Sequence, residues 1–419
     1  MAERVDTVVV GAGQAGLATS YHLTRLGREH VVLERGRVAD TWRTQRWDGF
    51  YLNTPNWAQR LPGHEYAGPD PDAFAPLAEV IAYLDDYARM IGSEVREGVE
   101  VTGLRRDWDG YVLETGDGAI AAANVVVATG AYHRPTPTAL AEQVPSHVVQ
   151  LHTSAYKRPE QLPPGAVLVV GNGQSGCQIA EELLLDGRTV YLAVGRCPWL
   201  PRRYRGQEIV HWLIESGIAD ETVDTLPTPE ARLACNRPVS GNDGGHDCNA
   251  RWLAGRGAAL VGRVGGFDGS TVLLDGGPEQ ALATADEATR DFLRGIDEHI
   301  DAAGLDAPPA EPIEDGALDD AVVRELDLDA AGVSTVLWAN GFRPDYAWID
   351  LPVTDELGWP VQTRGASEFP GLYFVGVHWL HKRKSSLFLG VGEDAEHVAV
   401  HLAARTPRPT PPRARSARA

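Results

Sequence analysis

Apolar positions along this chain fall into two patterns. Short runs rich in valine and leucine occur at Val8–Val10, Val31–Leu33, Val125–Val127, Val167–Val170, Val336–Trp338 and Leu372–Phe374. Runs of that length and β-branched content predict buried strands. Between them lie stretches with helical periodicity. Residues 77–91 (LAEVIAYLDDYARMI) form one. Ile179, Ala180, Leu183 and Leu184 put one apolar face on another, which Gly187 is placed to stop. The charged stretch 285–303 (ADEATRDFLRGIDEHIDAA) predicts a solvent-facing amphipathic helix, and a last helix is expected from about Glu393. Strands alternating with helices predict an α/β fold on parallel sheets.

Two of the strand-to-helix turns are near copies. VVVGAGQAGLATSYHL at residues 8–23 is echoed by VLVVGNGQSGCQIAEELL at residues 167–184. Each loop has glycines at its first, third and sixth positions: Gly11, Gly13 and Gly16, then Gly171, Gly173 and Gly176. In G-x-G-x-x-G the first glycine permits a tight turn, the second lets backbone approach a pyrophosphate, and the third lets the helix pack closely on the sheet. Gln14 with Ala15, and Gln174 with Ser175, open the two helices, whose unpaired N–H groups favour phosphate. A later strand in each half ends in a glycine turn. These are VVVATG, with Ala128, Thr129 and Gly130, and VLWANG, with Asn340 and Gly341.

This nested order predicts two Rossmann-like dinucleotide-binding domains, one inserted into the other. Residues 1–155 and 342–404 would form the outer domain and 165–341 the inserted one, joined by the Pro-rich KRPEQLPPG at 157–165. The glycine turn follows its loop by 119 residues in the outer unit and 170 in the inserted one. The surplus is assigned to about 197–256.

The next strand separates the two ligands. Glu34 lies 23 residues after Gly11, where a carboxylate accepts hydrogen bonds from ribose hydroxyls, with Arg35 beside it. The same offset from Gly171 reaches Val194, followed by Gly195 and Arg196. No carboxylate stands there to repel a 2′-phosphate, and Arg196 can pair with one, helped by Arg202 or Arg203. The first site suits FAD or NAD and the second NADPH. The alternative for Arg196 is a solvated surface side chain.

Composition narrows the partners. A formal charge of −20 over 419 residues argues against a nucleic-acid or anionic-membrane binder. No apolar run approaches the ~20 residues of a membrane span, and no signal peptide precedes the strand beginning near Thr7, so a cytoplasmic protein is expected. The tail 405–419 (RTPRPTPPRARSARA) has the composition of a disordered segment. Cys177, Cys197, Cys235 and Cys248 show no CxxC spacing, and neither disulfides nor a metal site at Cys235, His246 and Cys248 are expected.

Over about residues 5–400 the chain resembles the class B flavoprotein monooxygenases, the flavin-containing monooxygenase group, above all its short bacterial and plant indole-3-pyruvate members. The resemblance rests on GAGQAG, DTWRTQRWDGFYLNTPNW (40–57), VVVATGAYHRP, GNGQSG and WANGFRPD. It implies FAD at the first loop and NADPH at the second. It also implies reaction of reduced flavin with O2 to give a C4a-(hydro)peroxide, and transfer of one oxygen atom to a small molecule. Thr41, Trp42 and Arg43 match the family's flavin-contacting TWR, and Asn53 its asparagine beside the flavin, the catalytic candidate. The alternative for Asn53 is a turn former before Thr54-Pro55.

Gly376 and Glu393 fall in the segment that faces the flavin in the family. Of the fingerprint FxGxxxHxxxY, His152 and Tyr156 are present, while Ser146 and Val148 replace its Phe and first Gly. Trp47 and Trp57 read as cavity lining or core, His378 as flavin-adjacent or structural. Lys382, Arg383 and Lys384 read as a solvated charge run or, with Arg202, Arg203 and Arg205, a receptor for an anionic substrate. The substrate and a homodimer are left open. An NAD(P)H:acceptor oxidoreductase and a non-catalytic NADPH-binding redox sensor remain as alternatives.

Overall fold

The structure, a computed structural model, describes residues 3–405 except positions 109, 137, 235–236, 313–317 and 319. Cys235 and the tail beyond Arg405 therefore lie outside the described residues.

Glu3–Val10 runs through the middle of a nine-stranded sheet, parallel to His30–Glu34 on one side and Gly118–Val127 on the other. Val8 and Val9 are fully buried, as expected for a parallel strand covered on both faces, which leaves no apolar–polar alternation. Val95–Glu97 extends the sheet beyond His30–Glu34, and Leu372–Phe374 pairs in parallel with the far side of Gly118–Val127. A strand near residue 372 thus completes a sheet begun at residue 3, and the outer unit is made from both ends of the chain.

The second sheet has six strands, all parallel. Its order is Val149–His152, Val333–Trp338, Ala166–Val170, Val190–Ala193, Ala259–Val261 and Val322–Val323. Val149–His152 pairs here, although the boundary expected at residue 155 leaves it with the first unit. In both sheets the Gly-loop strand lies between the strand that ends in the glycine turn and the strand that follows the loop's helix.

The predicted helices form, Leu77–Ile91 with the expected bounds and the last two with shifted ends. The amphipathic one runs Pro278–Ala303 and buries Leu282, Ala285, Thr289, Leu293, Ile296 and Ile300 at three- and four-residue spacing. Each fully buried aliphatic side chain stabilises the fold by roughly 1.5–3 kcal/mol. Its buried Asp286 accepts hydrogen bonds from Trp199 Nε1 at 2.9 Å and Arg251 Nη2 at 2.6 Å. The closing helix is Val391–Ala403. The chain crosses between the units twice, and the crossings pair with each other: Phe342–Arg343 lies antiparallel to Arg134–Pro135. Thr136 N donates to Gly341 O at 2.9 Å beside them.

Candidate active site

The two Gly loops have almost the same geometry. Gly11 and Gly171 sit at φ +106° and +115°, conformations that L side chains rarely adopt. A Cβ on either would lie 2.7 Å from a carbonyl oxygen, that of Ala128 in one loop and Ala339 in the other. A Cβ on Gly16 or Gly176 would lie 1.8 or 2.0 Å from the oxygen of its loop's own first glycine. Gly13 differs, since a Cβ there meets nothing within 4 Å. The loop is therefore closed against the sheet and open on the side from which a pyrophosphate would approach, at the N-terminus of Gln14–Arg25. Gln14 and Gln174 both commit their side-chain amides to protein partners. The first receives Trp42 Nε1 at 3.1 Å and donates to Ser386 O, and the second brackets the backbone of Val239.

The following strands diverge as the offsets imply. Glu34 is buried at the end of His30–Glu34, where its two oxygens accept Ala12 N at 2.8 Å and Gly36 N at 3.0 Å. In the second unit Asn172 takes over that bracing, its Oδ1 accepting Gly195 N at 2.8 Å, and Val194 is buried. Arg196 is exposed and forms no hydrogen bond or ion pair among the described residues. Arg35 is also exposed. Arg202 is turned away from Arg196: it is buried, ion-paired with Glu208, and its Nη1 donates to Asn53 O at 2.9 Å. Burial lowers its pKa to about 9.

Both glycine turns leave polar atoms unanswered. Gly130 and Gly341 have the same φ, +79°, and open space at the Cβ position. Beside them Thr129 Oγ1 and Asn340 Oδ1 are buried without a hydrogen-bond partner. Unpaired buried polar atoms cost about 1–3 kcal/mol each, and these two stand at corresponding positions of the matched turns.

The closing segment packs onto the first loop. A Cβ on Gly376 would lie 2.4 Å from Ala15 Cβ. His378 Nε2 shares a hydrogen bond with Tyr132 Oη at 2.7 Å, and its Nδ1 shares one with Ser386 Oγ at 2.7 Å. Crowding by protein pushes its pKa down to about 4, keeping the ring neutral. In the closing helix Asp394, not Glu393, faces inward. Asp394 is buried, its Oδ2 has no partner, and burial pushes its carboxyl up to about 6. Its backing signal in the sequence was the same acidic first turn that singled out Glu393.

Other expected residues are held by partners elsewhere. Glu393 receives Lys382 Nζ at 2.8 Å and Lys384 Nζ at 2.5 Å. Both lysines also reach Asp220, and Arg383 pairs with Glu221. The basic run is thus neither a solvated face nor an open anion receptor; it ties the closing loop to the inserted unit. Arg205 is paired with Asp297. Arg43 Nη2 reaches the Asp85 carboxylate at 2.6 Å and Nε donates to Val38 O, so its head braces the helix Leu77–Ile91. Tyr156 is fully buried and donates to Glu182 Oε2 at 2.7 Å, away from either Gly loop. Burial raises the Tyr156 pKa and pushes Glu182 up to about 7.

Trp42 stacks on Phe388 at 5.7 Å beside the first loop, and Thr41 precedes it in the short helix Asp40–Gln45. Trp47 is core, and Trp57 packs against the inserted unit's apolar cluster. Asn53 is half-buried, and no hydrogen bond occupies its side-chain amide among the described residues. His246 and Cys248 converge on the buried Glu181, and Cys197 is disulfide-bonded, against expectation. No described helix is long and apolar enough to cross a membrane.

Residues 8–225 match the profile of the pyridine nucleotide-disulphide oxidoreductase family. An uncharacterized CzcO-like oxidoreductase of Geobacillus kaustophilus is 32% identical over 397 residues, 94% of this chain and 97% of that protein. Indole-3-pyruvate monooxygenase YUCCA1 of Oryza sativa subsp. japonica is 32% identical over 186 residues, 43% of this chain and 45% of its own. Among solved structures, a flavin-containing monooxygenase from Stenotrophomonas maltophilia superposes with a TM-score of 0.64 at 20% identity, covering 96% of this chain and 99% of its own. OTEMO in complex with FAD and NADP superposes with a TM-score of 0.58 at 15% identity, covering 96% and 84%.

Proposed function

The chain belongs to the pyridine nucleotide-disulphide oxidoreductase family, and from that premise we propose that it is an FAD-dependent monooxygenase that uses NADPH and O2 on a small-molecule substrate. The observation that carries this reading is the divergence that follows two loops of closely similar backbone geometry. One is followed by a braced carboxylate, Glu34, and the other by a free guanidinium, Arg196. A ribose diol suits the first and a 2′-phosphate the second. The flavin monooxygenase and FAD- and NADP-bound neighbours, and the plant monooxygenase relatives, support the same reading.

The residues present fit both nucleotides. At the first site, Gly11, Gly13 and Gly16 leave the pyrophosphate its approach, and Glu34 receives the ribose. Thr129 Oγ1 and Asp394 Oδ2 offer unsatisfied atoms to the rest of the molecule. At the second site Gly171, Gly173 and Gly176 repeat the cradle, with Arg196 at the 2′-phosphate and Asn340 Oδ1 beside the Gly341 turn. When bound, NADPH supplies hydride and FAD supplies the centre that accepts it and activates O2. The chain's own task is to orient and to exclude water. Asn53 is the catalytic candidate, because its amide is uncommitted while Arg202 anchors its carbonyl oxygen. Trp42 and Phe388 wall the site. His378, neutral and hydrogen-bonded at both nitrogens, holds Tyr132 and Ser386 in place.

The test uses FAD-loaded protein. NADPH must bleach the flavin anaerobically, with NADH slower by about 10-fold or more for loss of one charge-assisted contact. Oxygen-18 gas must then label product across amine, thioether and keto-acid panels. Bleaching without label, with rapid turnover of an artificial acceptor, would make the protein a reductase.

A further inference from the structure

Arg46 carries a guanidinium with no acid to answer it. It follows the helix Asp40–Gln45 in extended backbone. Its head lies over three rings, 5.1 Å from the centroid of Trp42 and 5.8 Å from those of Phe50 and Tyr132. Its one side-chain hydrogen bond is long, Nη1 to Gln45 O at 3.4 Å, and it has no ion pair among the described residues. The chain holds 58 acidic side chains against 38 Lys and Arg. Several basic side chains near the site are matched, Arg43 by Asp85, Arg202 by Glu208 and Lys384 by Glu393, while Arg35 and Arg196 are exposed to solvent.

The surroundings make the vacant edge expensive. Protein crowds the guanidinium enough to lower its pKa, desolvation being the dominant cause. The side chain is nonetheless half-buried and not sealed, which is how a group lining an interior cleft presents itself. Aromatic faces stabilise a cation by about 0.5–2 kcal/mol, and they do so through the flat face of the guanidinium. The N–H edge, with its fork of donors, remains for an anion.

The cleft can be placed. Trp42 reaches Gln14 at the start of the first Gly-loop helix, and Tyr132 stands two residues beyond the Gly130 turn. Arg46 therefore lies at the carboxyl edge of the first sheet, where parallel α/β sheets bind ligands. The phosphates already have their donors at the two helix N-termini and at Arg196. The neighbouring Lys157 Nζ is spent on the carbonyl oxygens of Thr44 and Arg46, so the planar fork of Arg46 is left to match a carboxylate, which accepts two parallel N–H bonds.

We propose that Arg46 receives the carboxylate of the substrate, so that the substrates are small organic acids held by a bidentate guanidinium–carboxylate pair. The word substrate rests on the monooxygenase reading, whereas the binding does not. An acidic protein also needs one focused positive site to draw in an anion, and Arg46 supplies it.

The experiment is calorimetry on FAD-loaded, NADP+-saturated protein, titrated with phenylacetate and with its uncharged isostere phenylacetamide. Wild type binds the acid at least about 10-fold more tightly than the amide, the value of one charge-assisted pair. Arg46→Gln weakens the acid by about 30-fold and leaves the amide, the FAD content and the NADPH affinity within about twofold. Arg46→Lys, which keeps the charge and loses the fork, falls between and serves alone if the Gln variant fails to fold. Equal binding of acid and amide by wild type, or no binding of either up to 10 mM (about 3 kcal/mol), overturns the proposal. So does a loss of NADPH affinity in Arg46→Gln with acid binding intact, which assigns the guanidinium to the nucleotide. No turnover is needed, so failure of oxygen-18 labelling sinks the monooxygenase reading and leaves this result standing.

Discussion

Glu393 and Asp394 are adjacent acids in one helical turn, and their neighbours give them opposite tasks. Glu393 stays ionised between two lysines, held below the usual carboxylate range by hydrogen bonds from Lys382 and Lys384 against the opposing effect of burial. Asp394, one position on, is buried with an oxygen unpaired, and its carboxyl rises to about 6. A raised carboxyl pKa means that the folded chain binds more protons than the unfolded one between the ordinary value near 3.9 and about 6. Asp394 therefore costs stability at neutral pH and ceases to do so as pH falls through that window. His378 acts with the opposite sign: its folded pKa of about 4 lies below 6.5, so its contribution is lost as pH falls. Asp394→Asn should raise the melting temperature of FAD-free protein at pH 8 by a few degrees, for a gain of at most about 3 kcal/mol, and by only about a third as much at pH 4.5. His378 is common to both proteins and cancels in the difference. The same substitution should weaken FAD retention, because it replaces an acceptor-only oxygen. A melting difference that does not vary with pH would show that this carboxylate is not the buried, costly one.

At the scale of elements, the Gly loops were legible because every constraint on them is local. Gly11 must turn, Gly16 must let the helix touch Gly11 O, and the strand and helix lie within ten residues of the loop on either side. The three glycines are nevertheless not equivalent, and this separates folding from binding. Gly16→Ala drives a Cβ to 1.8 Å from backbone, so it should unfold or melt early, with a cost above about 2 kcal/mol. Gly13→Ala meets nothing within 4 Å and keeps an ordinary φ of −81°. It should leave the melting temperature of FAD-free protein within about 2 °C, a fraction of a kcal/mol, while FAD content after reconstitution falls sharply. A Gly13→Ala protein that still fills with FAD would mean that the pyrophosphate does not pass over this residue. The legible part extends to Glu34 and Arg196, which follow from a fixed offset along the chain. It stops at Arg43, Tyr156 and Glu393. Each is drawn off by a partner 42, 26 or 11 residues away, on an element whose placement depends on tertiary packing. Arg46 was missed for the converse reason, since the absence of a partner leaves no trace in sequence.

The whole molecule is two Gly-loop units joined by two kinds of link, and the basic run 382–384 belongs to the second kind. The covalent crossings pair as Arg134–Pro135 with Phe342–Arg343, a short antiparallel ladder braced by Asn340 Nδ2 on Thr136 O and by Tyr132 and His152 against Phe342. Across the molecule the closing loop is fastened to the inserted unit. Val223 N donates to His381 O at 2.8 Å and Arg383 N to Glu221 O at 2.9 Å. Lys382 and Lys384 straddle Asp220 at 2.6 and 2.9 Å. The partners are 162 residues apart in the chain, so only the fold could reveal that the charges belong together. Each partly exposed pair is worth about 0.2–1 kcal/mol and is screened at high salt, so this latch is weak enough to open without unfolding either sheet. Asp220→Asn combined with Glu221→Gln should speed proteolysis within the inserted segment near 216–234 by about 3- to 30-fold, corresponding to roughly 0.7–2 kcal/mol of lost closure. Adding 0.5 M NaCl to wild type should reproduce most of that acceleration and do little more to the variant. Both sheets should keep their far-UV signal throughout. Cleavage indifferent to salt and to the two substitutions would mean that the backbone bonds alone hold the loop, leaving the charges no part in closing the site.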